Sequence, residues 1–297
     1  MRIFTLLVLF TLLLVSSQSF SQFDKPSFQV GIGLTEPFDN FKGSNYLVNG
    51  TYQGYPTALV DSNLFKSTYA AKTGFNIFGA GKINFDKYNI LRAVGFISYN
   101  SFNTFQSKQS GNQIILVNGN PTPISLTYNY KFSAFCFGLG LEVAPTSFTN
   151  IITPYFGANI SFNELTASLE RVEGSNTDTN RFSASGFRIG INFNAGIEAK
   201  FTKNFGLSLG IKYDLGNLLL KNTSNYNIAE RYEWGQTNAA LNDDEGGFYS
   251  NLPNLLSDPN FKSYSSSKKN INWGTVYLAL NYYLNIPKTT KKAPQKK

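Results

Sequence analysis

Histidine is missing altogether from the 297 residues, and Cys136 is the single cysteine. Without histidine no Ser-His-Asp or Cys-His arrangement can be built, and the commonest general base is gone. One cysteine closes no intramolecular disulfide, and alone it cannot assemble a zinc set. No metal or cofactor is therefore expected, and the chain does not read as an enzyme. Gly31-x-Gly33 and Gly79-x-Gly81 lie inside alternating segments, the wrong context for a phosphate loop. Glu142 and Glu198 are carboxylates that could pair, but near strand ends they read as solvated or ion-paired rim residues. Long apolar runs are also lacking beyond the first residues, so no membrane-spanning helix is expected. Charge is sparse: charged residues are 15% of the chain, no more than the aromatics at 15%, an odd balance for a soluble secreted domain. The net charge of +8 is misleading, because Lys288, Lys291, Lys292, Lys296 and Lys297 crowd into the last ten residues. With those and Arg2 set aside the body is near +2, which is no footprint for nucleic acid.

What is present begins with a leader. Arg2 precedes an apolar run from Ile3 to Val15, followed by small residues at Ser19 and Ser21. This is the pattern of a secretory signal peptide, residues 1–21, cleaved after Ser21. The mature chain then divides into a strand-rich body, residues 22–286, and a Lys/Pro/Thr tail, residues 287–297.

The clearest stretch of the body is Arg181 to Leu220. Phe187, Ile189, Ile191, Phe193, Ala195, Ile197, Ala199 and Phe201 share one face, against Gly186, Arg188, Gly190, Asn192, Asn194, Gly196, Glu198 and Lys200. After Thr202-Lys203-Asn204 the alternation resumes from Phe205 to Leu215. Period-two patterning of this length specifies strands, and a three-residue loop sets 201 opposite 205 and 199 opposite 207.

Six further strands follow from the same reading: Ser27–Pro37, Thr73–Phe85, Ile90 to about Phe105, Ser125–Val143, Ile151 to about Leu169, and Asn272–Ile286. In the fourth the apolar residues switch from even positions (Leu126, Tyr128, Tyr130, Phe132) to odd ones (Phe135, Phe137, Leu139, Leu141, Val143). Such a switch is what a β-bulge produces, expected here near Ser133-Ala134. Asn49-Gly50 and Asn118-Gly119 read as turn tips. Short connections at 86–89, 145–150 and 202–204 alternate with longer ones, the longest being 38–71 and 221–271.

Volume and energy decide which face looks out. Four of the strands alone supply more than twenty large apolar side chains to one face, whereas an eight-stranded barrel has an interior only just wide enough for side chains to fill. If the polar face met lipid, Lys82, Arg188 and Lys212 would each cost about 2–4 kcal/mol near the midplane. The apolar face is therefore outside, in lipid. The expected fold is all-β, an eight-stranded antiparallel up-and-down transmembrane barrel with short periplasmic turns and long extracellular loops.

The leader, the eight alternating strands, the aromatic strand ends (Phe85, Phe201, Phe205, Tyr282, Tyr283) and the loop rhythm resemble the small outer-membrane β-barrel superfamily of Gram-negative bacteria, with its OmpA-, OmpX- and OmpW-type members. The resemblance covers nearly the whole mature chain and is architectural. It departs at the end, where Pro287–Lys297 follow the last strand in place of a terminal aromatic. It implies an outer-membrane location and a non-enzymatic envelope or surface-interaction role through the loops around 38–71 and 221–271. The alternatives are a small channel for ions or hydrophobic solutes, and a barrel component of a larger envelope or secretion complex. Lys82, Arg188, Lys212 and Asp214 should form a polar cluster in the lumen. Tyr52, Tyr55, Tyr232 and Trp234 are the loop residues suited to contact a protein or glycan partner. Outer-membrane lipid is the other partner, nucleic acid is not one, and the barrel should be a monomer.

Overall fold

The computed structural model describes residues 24–43, 47–52, 55–60, 68–86, 90–104, 106–117, 120–145, 151–173, 178–222, 241, 243–248 and 264–284. The expected leader, the lysine tail, Tyr232 and Trp234 lie outside these. Tyr52 and Tyr55 are described by their backbone alone.

Among the described residues thirteen strands appear in chain order: β1 (Asp24–Phe38), β2 (Leu47–Tyr52), β3 (Tyr55–Val60), β4 (Lys72–Asn84), β5 (Leu91–Asn103), β6 (Gln106–Val117), β7 (Asn120–Val143), β8 (Ile152–Glu173), β9 (Asp178–Lys200), β10 (Phe205–Leu219), β11 (Gly246–Phe248), β12 (Tyr264–Ser266) and β13 (Asn272–Tyr283). Eight of them close a ring in the order β5-β4-β1-β13-β10-β9-β8-β7, sealed by the β5–β7 pairing, and every contact around it is antiparallel. The fold is thus a closed eight-stranded up-and-down barrel, as the alternation required. The hairpin from which the reading started has the expected register, with Ala199 opposite Leu207.

The strands are unequal. β7, β8 and β9 contain 24, 22 and 23 residues, about twice the roughly 9–11 that cross a bilayer. β6 follows β5 and continues the β5–β7 hairpin upward, ending with Val117 opposite Asn120 around the expected tip. A four-stranded sheet, β6-β7-β8-β9, therefore stands above the long-loop end. The connections after β6 and β8 are shorter than the sequence suggested, because both neighbouring strands run further. The first long connection holds its own hairpin, β2–β3, but not around Asn49-Gly50. Asn49 and Gly50 sit in the ladder opposite Ala58 and Thr57, and the strands meet at Tyr52 and Tyr55. That register sets Leu47 and Val48 against Val60 and Leu59, an apolar pairing that a turn at 49–50 would have broken.

The apolar faces point outward around the ring. Leu34, Val30 and Ile211 are 68%, 62% and 58% exposed, and residues two apart repeat the pattern on β1, β4, β7, β10 and β13. A continuous belt of Phe, Ile, Leu and Val this large is a surface for hydrocarbon. At the short-turn end Phe205 and Tyr282 pack with ring centroids 5.2 Å apart, and Phe85 and Phe201 are also exposed there. Tyr283, expected among these aromatics, points the other way into the lumen.

The expected bulge at Ser133-Ala134 is absent. β7 pairs without a register shift to β5 and to β8 through this point. Tyr130, Phe132, Ala134 and Cys136 all face inward. What changes along β7 is the filling of the barrel: its lower lumen is polar, while its upper lumen is aromatic. The pattern switch records a change of interior chemistry, not of strand phase.

Inward glycines make room for that filling. A Cβ on Gly210 would stand 2.6 Å from the Tyr277 ring and 2.7 Å from the Tyr155 hydroxyl, and one on Gly216 would stand 2.3 Å from the Trp273 ring. Gly210→Leu should thus overpack the lumen and destabilise by about 1–3 kcal/mol or more, while Leu209→Lys, one residue away on the outer face, should cost about 2–4 kcal/mol through lipid exposure. Urea unfolding from lipid vesicles measures both. The inward–outward assignment is wrong if Leu209→Lys is neutral.

Candidate functional site

Three stations occupy the lumen between the short-turn end and the mouth. The lowest is an ion network carried by four strands. Lys82 on β4 lies 3.0 Å from Glu142 on β7; Arg92 on β5 bridges Glu142 at 3.2 Å and Glu198 on β9 at 2.9 Å. Asn194 donates to Glu142 at 3.2 Å, and the Tyr283 hydroxyl donates to Glu198 at 2.5 Å. All four charged groups are buried, with Glu142 at 0% and Lys82 at 3%. Of the two rim readings for Glu142 and Glu198, solvated or ion-paired, the structure shows ion pairs, buried within the lumen, and adds Arg92 as a cation they share. The signal was their parity, since each sits on the polar face of its strand.

The middle station is built on Lys212 and Asp214 of β10. Lys212 holds its ammonium 3.1 Å from the centroid of the Phe78 ring and 4.9 Å from that of Tyr277, a cation–π seat. Asp214 accepts from Asn192 at 2.8 Å, and no ion pair joins it to Lys212 among the described residues. The Tyr155 and Tyr277 hydroxyls meet across the lumen at 2.6 Å, and Lys82 stands 4.5 Å over the Tyr155 ring. Asparagines fill the remaining polar positions, as with Asn76 and Asn100, bonded at 2.8 Å.

The mouth station is aromatic, and loops complete it. A 3-10 turn at Asp39–Phe41 folds inward after β1 and buries Phe41. Its ring meets Phe102 at 4.6 Å and Phe132 at 4.8 Å, with Trp273 and Tyr69 at 6.2 and 6.5 Å. Leu241, from the long connection after β10, is buried in the same cluster. Beside it Asp243 is fully buried and accepts from Arg188 Nε and Nη2, both at 2.7 Å, and from Asn217 at 2.8 Å.

The four residues expected to form one cluster are therefore dispersed over all three stations. Lys82 belongs to the lowest and Lys212 with Asp214 to the middle. Arg188 was expected near Asp214 but reaches the mouth instead. The reason is distance along β9: Asp214 stands opposite Asn192, four residues from Arg188, or about 13 Å at about 3.3 Å per residue, and Asp243 lies in a loop with no periodicity.

Outside the strands two amines are shifted by their surroundings. Lys269 is pushed down from 10.5 to about 8, chiefly by burial, with Lys221 adding to the drop and Asp243 opposing it. Lys221 is lowered too, again first by burial.

Two substitutions test this description. Glu142→Ala leaves Lys82 without its carboxylate and should cost about 3–5 kcal/mol by urea unfolding; a loss under about 1 kcal/mol would contradict the buried network. For Lys269 the sign follows from its depressed value. Folding penalises its charged form below pH 8, and the penalty fades as pH rises from 8 toward 10.5. The mouth loop should hence open less often at pH 10 than at pH 7. Hydrogen exchange at the Lys269 amide, which donates to the Asp243 carbonyl at 3.0 Å, reads this after correction for base catalysis. Lys269→Met should weaken the dependence, leaving the smaller part due to Lys221.

Residues 88–233 match the model of the family described as Opacity family porin protein. No curated protein matches the sequence. Among solved structures, Neisserial surface protein A is similar at 10% identity and a TM-score of 0.38, over 87% of this chain and 96% of that one. Ail, the attachment invasion locus protein of Yersinia pestis, is similar at 11% identity and a TM-score of 0.36, over 88% and 98%. The outer membrane protein OprG from Pseudomonas aeruginosa is similar at 9% identity and a TM-score of 0.40, over 88% and 96%.

Proposed function

We propose that this protein is a non-enzymatic outer-membrane barrel that acts at its loop end, as a surface-interaction protein. The observation that carries this reading is the contrast between the two parts of the molecule. The lumen is closed twice, by the Lys82–Glu142–Arg92–Glu198 network below and by the Phe41–Phe102–Phe132–Trp273 packing above. Above the belt, β7, β8 and β9 continue well past the length a bilayer needs. A small eight-stranded lumen filled in this way leaves no aqueous channel, so material built beyond the membrane is where binding can occur.

A protein suits that surface better than a glycan. From Asp178 to Arg188, β9 pairs with β8 on one side and with no strand on the other among the described residues. An open strand edge offers a row of backbone donors and acceptors, which an extended polypeptide satisfies. Side chains at Ser183 and Ser185 are exposed along it. The lipid belt, the short turns at one end and the expected leader support placement in the outer membrane with these edges outside the cell.

A photo-crosslinking residue at Ser185, in intact cells, should capture protein, whereas one at Ile197 in the belt should capture lipid. Only lipid adducts at both positions would count against the reading. In planar bilayers the purified barrel should show no unitary conductance; steady currents would favour the channel alternative.

A further inference from the structure

The carboxylate of Asp243 is received at the mouth as a bound ligand would be. Arg188 grips it side-on, Nε to Oδ2 and Nη2 to Oδ1, both at 2.7 Å. Asn217 Nδ2 donates to Oδ2 at 2.8 Å and the Asn222 backbone N–H to Oδ1 at 3.0 Å, so each oxygen accepts two hydrogen bonds. This paired-fork geometry is the strong, specific form of carboxylate and phosphate recognition.

The donors are fixed independently of the acid. Arg188 is on β9, where its Nη1 donates to the Phe187 carbonyl at 2.9 Å, and its guanidinium lies over Gly186, where a Cβ would come within 2.7 Å. Asn217 on β10 is locked at its other atom too, since Oδ1 accepts the Ile271 N–H at 2.8 Å. The acid comes from the connection after β10, where its N–H donates to the Asn222 carbonyl and its carbonyl accepts from the Lys269 N–H, both at 3.0 Å. Asp243 also acts on Lys221 and Lys269, favouring their charged forms, while it pairs with Arg188, so cations gather around this acid.

We infer that the barrel mouth contains an oxyanion-binding site, built from Arg188 and Asn217, which the chain fills with its own Asp243 and which an external carboxylate or phosphate takes over when the loop is displaced. The tethered acid competes at an effective concentration of about millimolar order. Binding of an external anion and release of the loop are therefore linked, so an anionic molecule at the cell surface would open the mouth structure.

The test uses full-length protein in detergent micelles. Asp243→Ala should lower the unfolding temperature, and acetate or inorganic phosphate should restore it saturably against chloride at equal ionic strength. The wild type should show no such gain, and Asp243→Ala combined with Arg188→Gln should lose the rescue. Whichever of the two anions restores stability names the source, carboxylate or phosphate. Rescue by neither, or rescue that survives loss of Arg188, overturns the inference. If Asp243→Ala does not fold, the wild type carries the test. At roughly 100 mM, acetate or phosphate should speed hydrogen exchange at the Asn222 amide about tenfold or more over chloride. An unchanged rate in both would overturn the proposal equally.

Discussion

In hydrocarbon a backbone N–H or C=O without a partner cannot turn to water, and each such group costs several kcal/mol. Strands meet that constraint only by closing on themselves. Here closure falls to the pairing of β5 with β7, from Leu91–Val143 to Phe102–Phe132, which leaves no free edge within the apolar belt. Eight strands then fix a narrow interior, and the rest of the structure follows from what such an interior can contain. Several of its glycines face an aromatic ring on the adjoining strand, as Gly210 faces Tyr277 and Gly138 faces Phe96, and its charges must find partners within it.

The way those charges are paired separates the two ends. Below, Glu142 and Glu198 join two cations from two other strands. A buried network of this kind contributes little net stability compared with well-packed apolar groups, but breaking one member is expensive. Above, the single acid Asp243 comes from a loop, and the barrel supplies the donors. The lower network is made only of strand residues and ties the wall together. The upper one ties a loop residue to the wall.

The projecting sheet follows from the same hydrogen-bond requirement applied outside the membrane. Beyond the belt, strands are no longer obliged to close, because water satisfies free groups. β6 through β9 continue as an open sheet, and the upper half of β9 keeps one edge without a strand partner among the described residues.

Alternation in the amino-acid sequence was sufficient for the number of strands in the ring, the hairpin register at Ala199–Leu207, the direction of the faces outside the upper part of β7 and the positions of the short turns. It suffices because a strand repeats every two residues and lipid and lumen demand opposite chemistries, so each position records its side. Parity also placed Lys82, Lys212, Asp214 and Arg188 inside. It could not say which acid each cation meets. That depends on strand stagger and on a loop whose residues repeat with no period. Nor could it tell a bulge from a change of filling in β7, since Tyr130 and Phe132 look outward by composition and inward by geometry. Only closure of the barrel decided this, by bringing Phe41, Phe102, Phe132 and Trp273 together across the mouth from four separate parts of the chain.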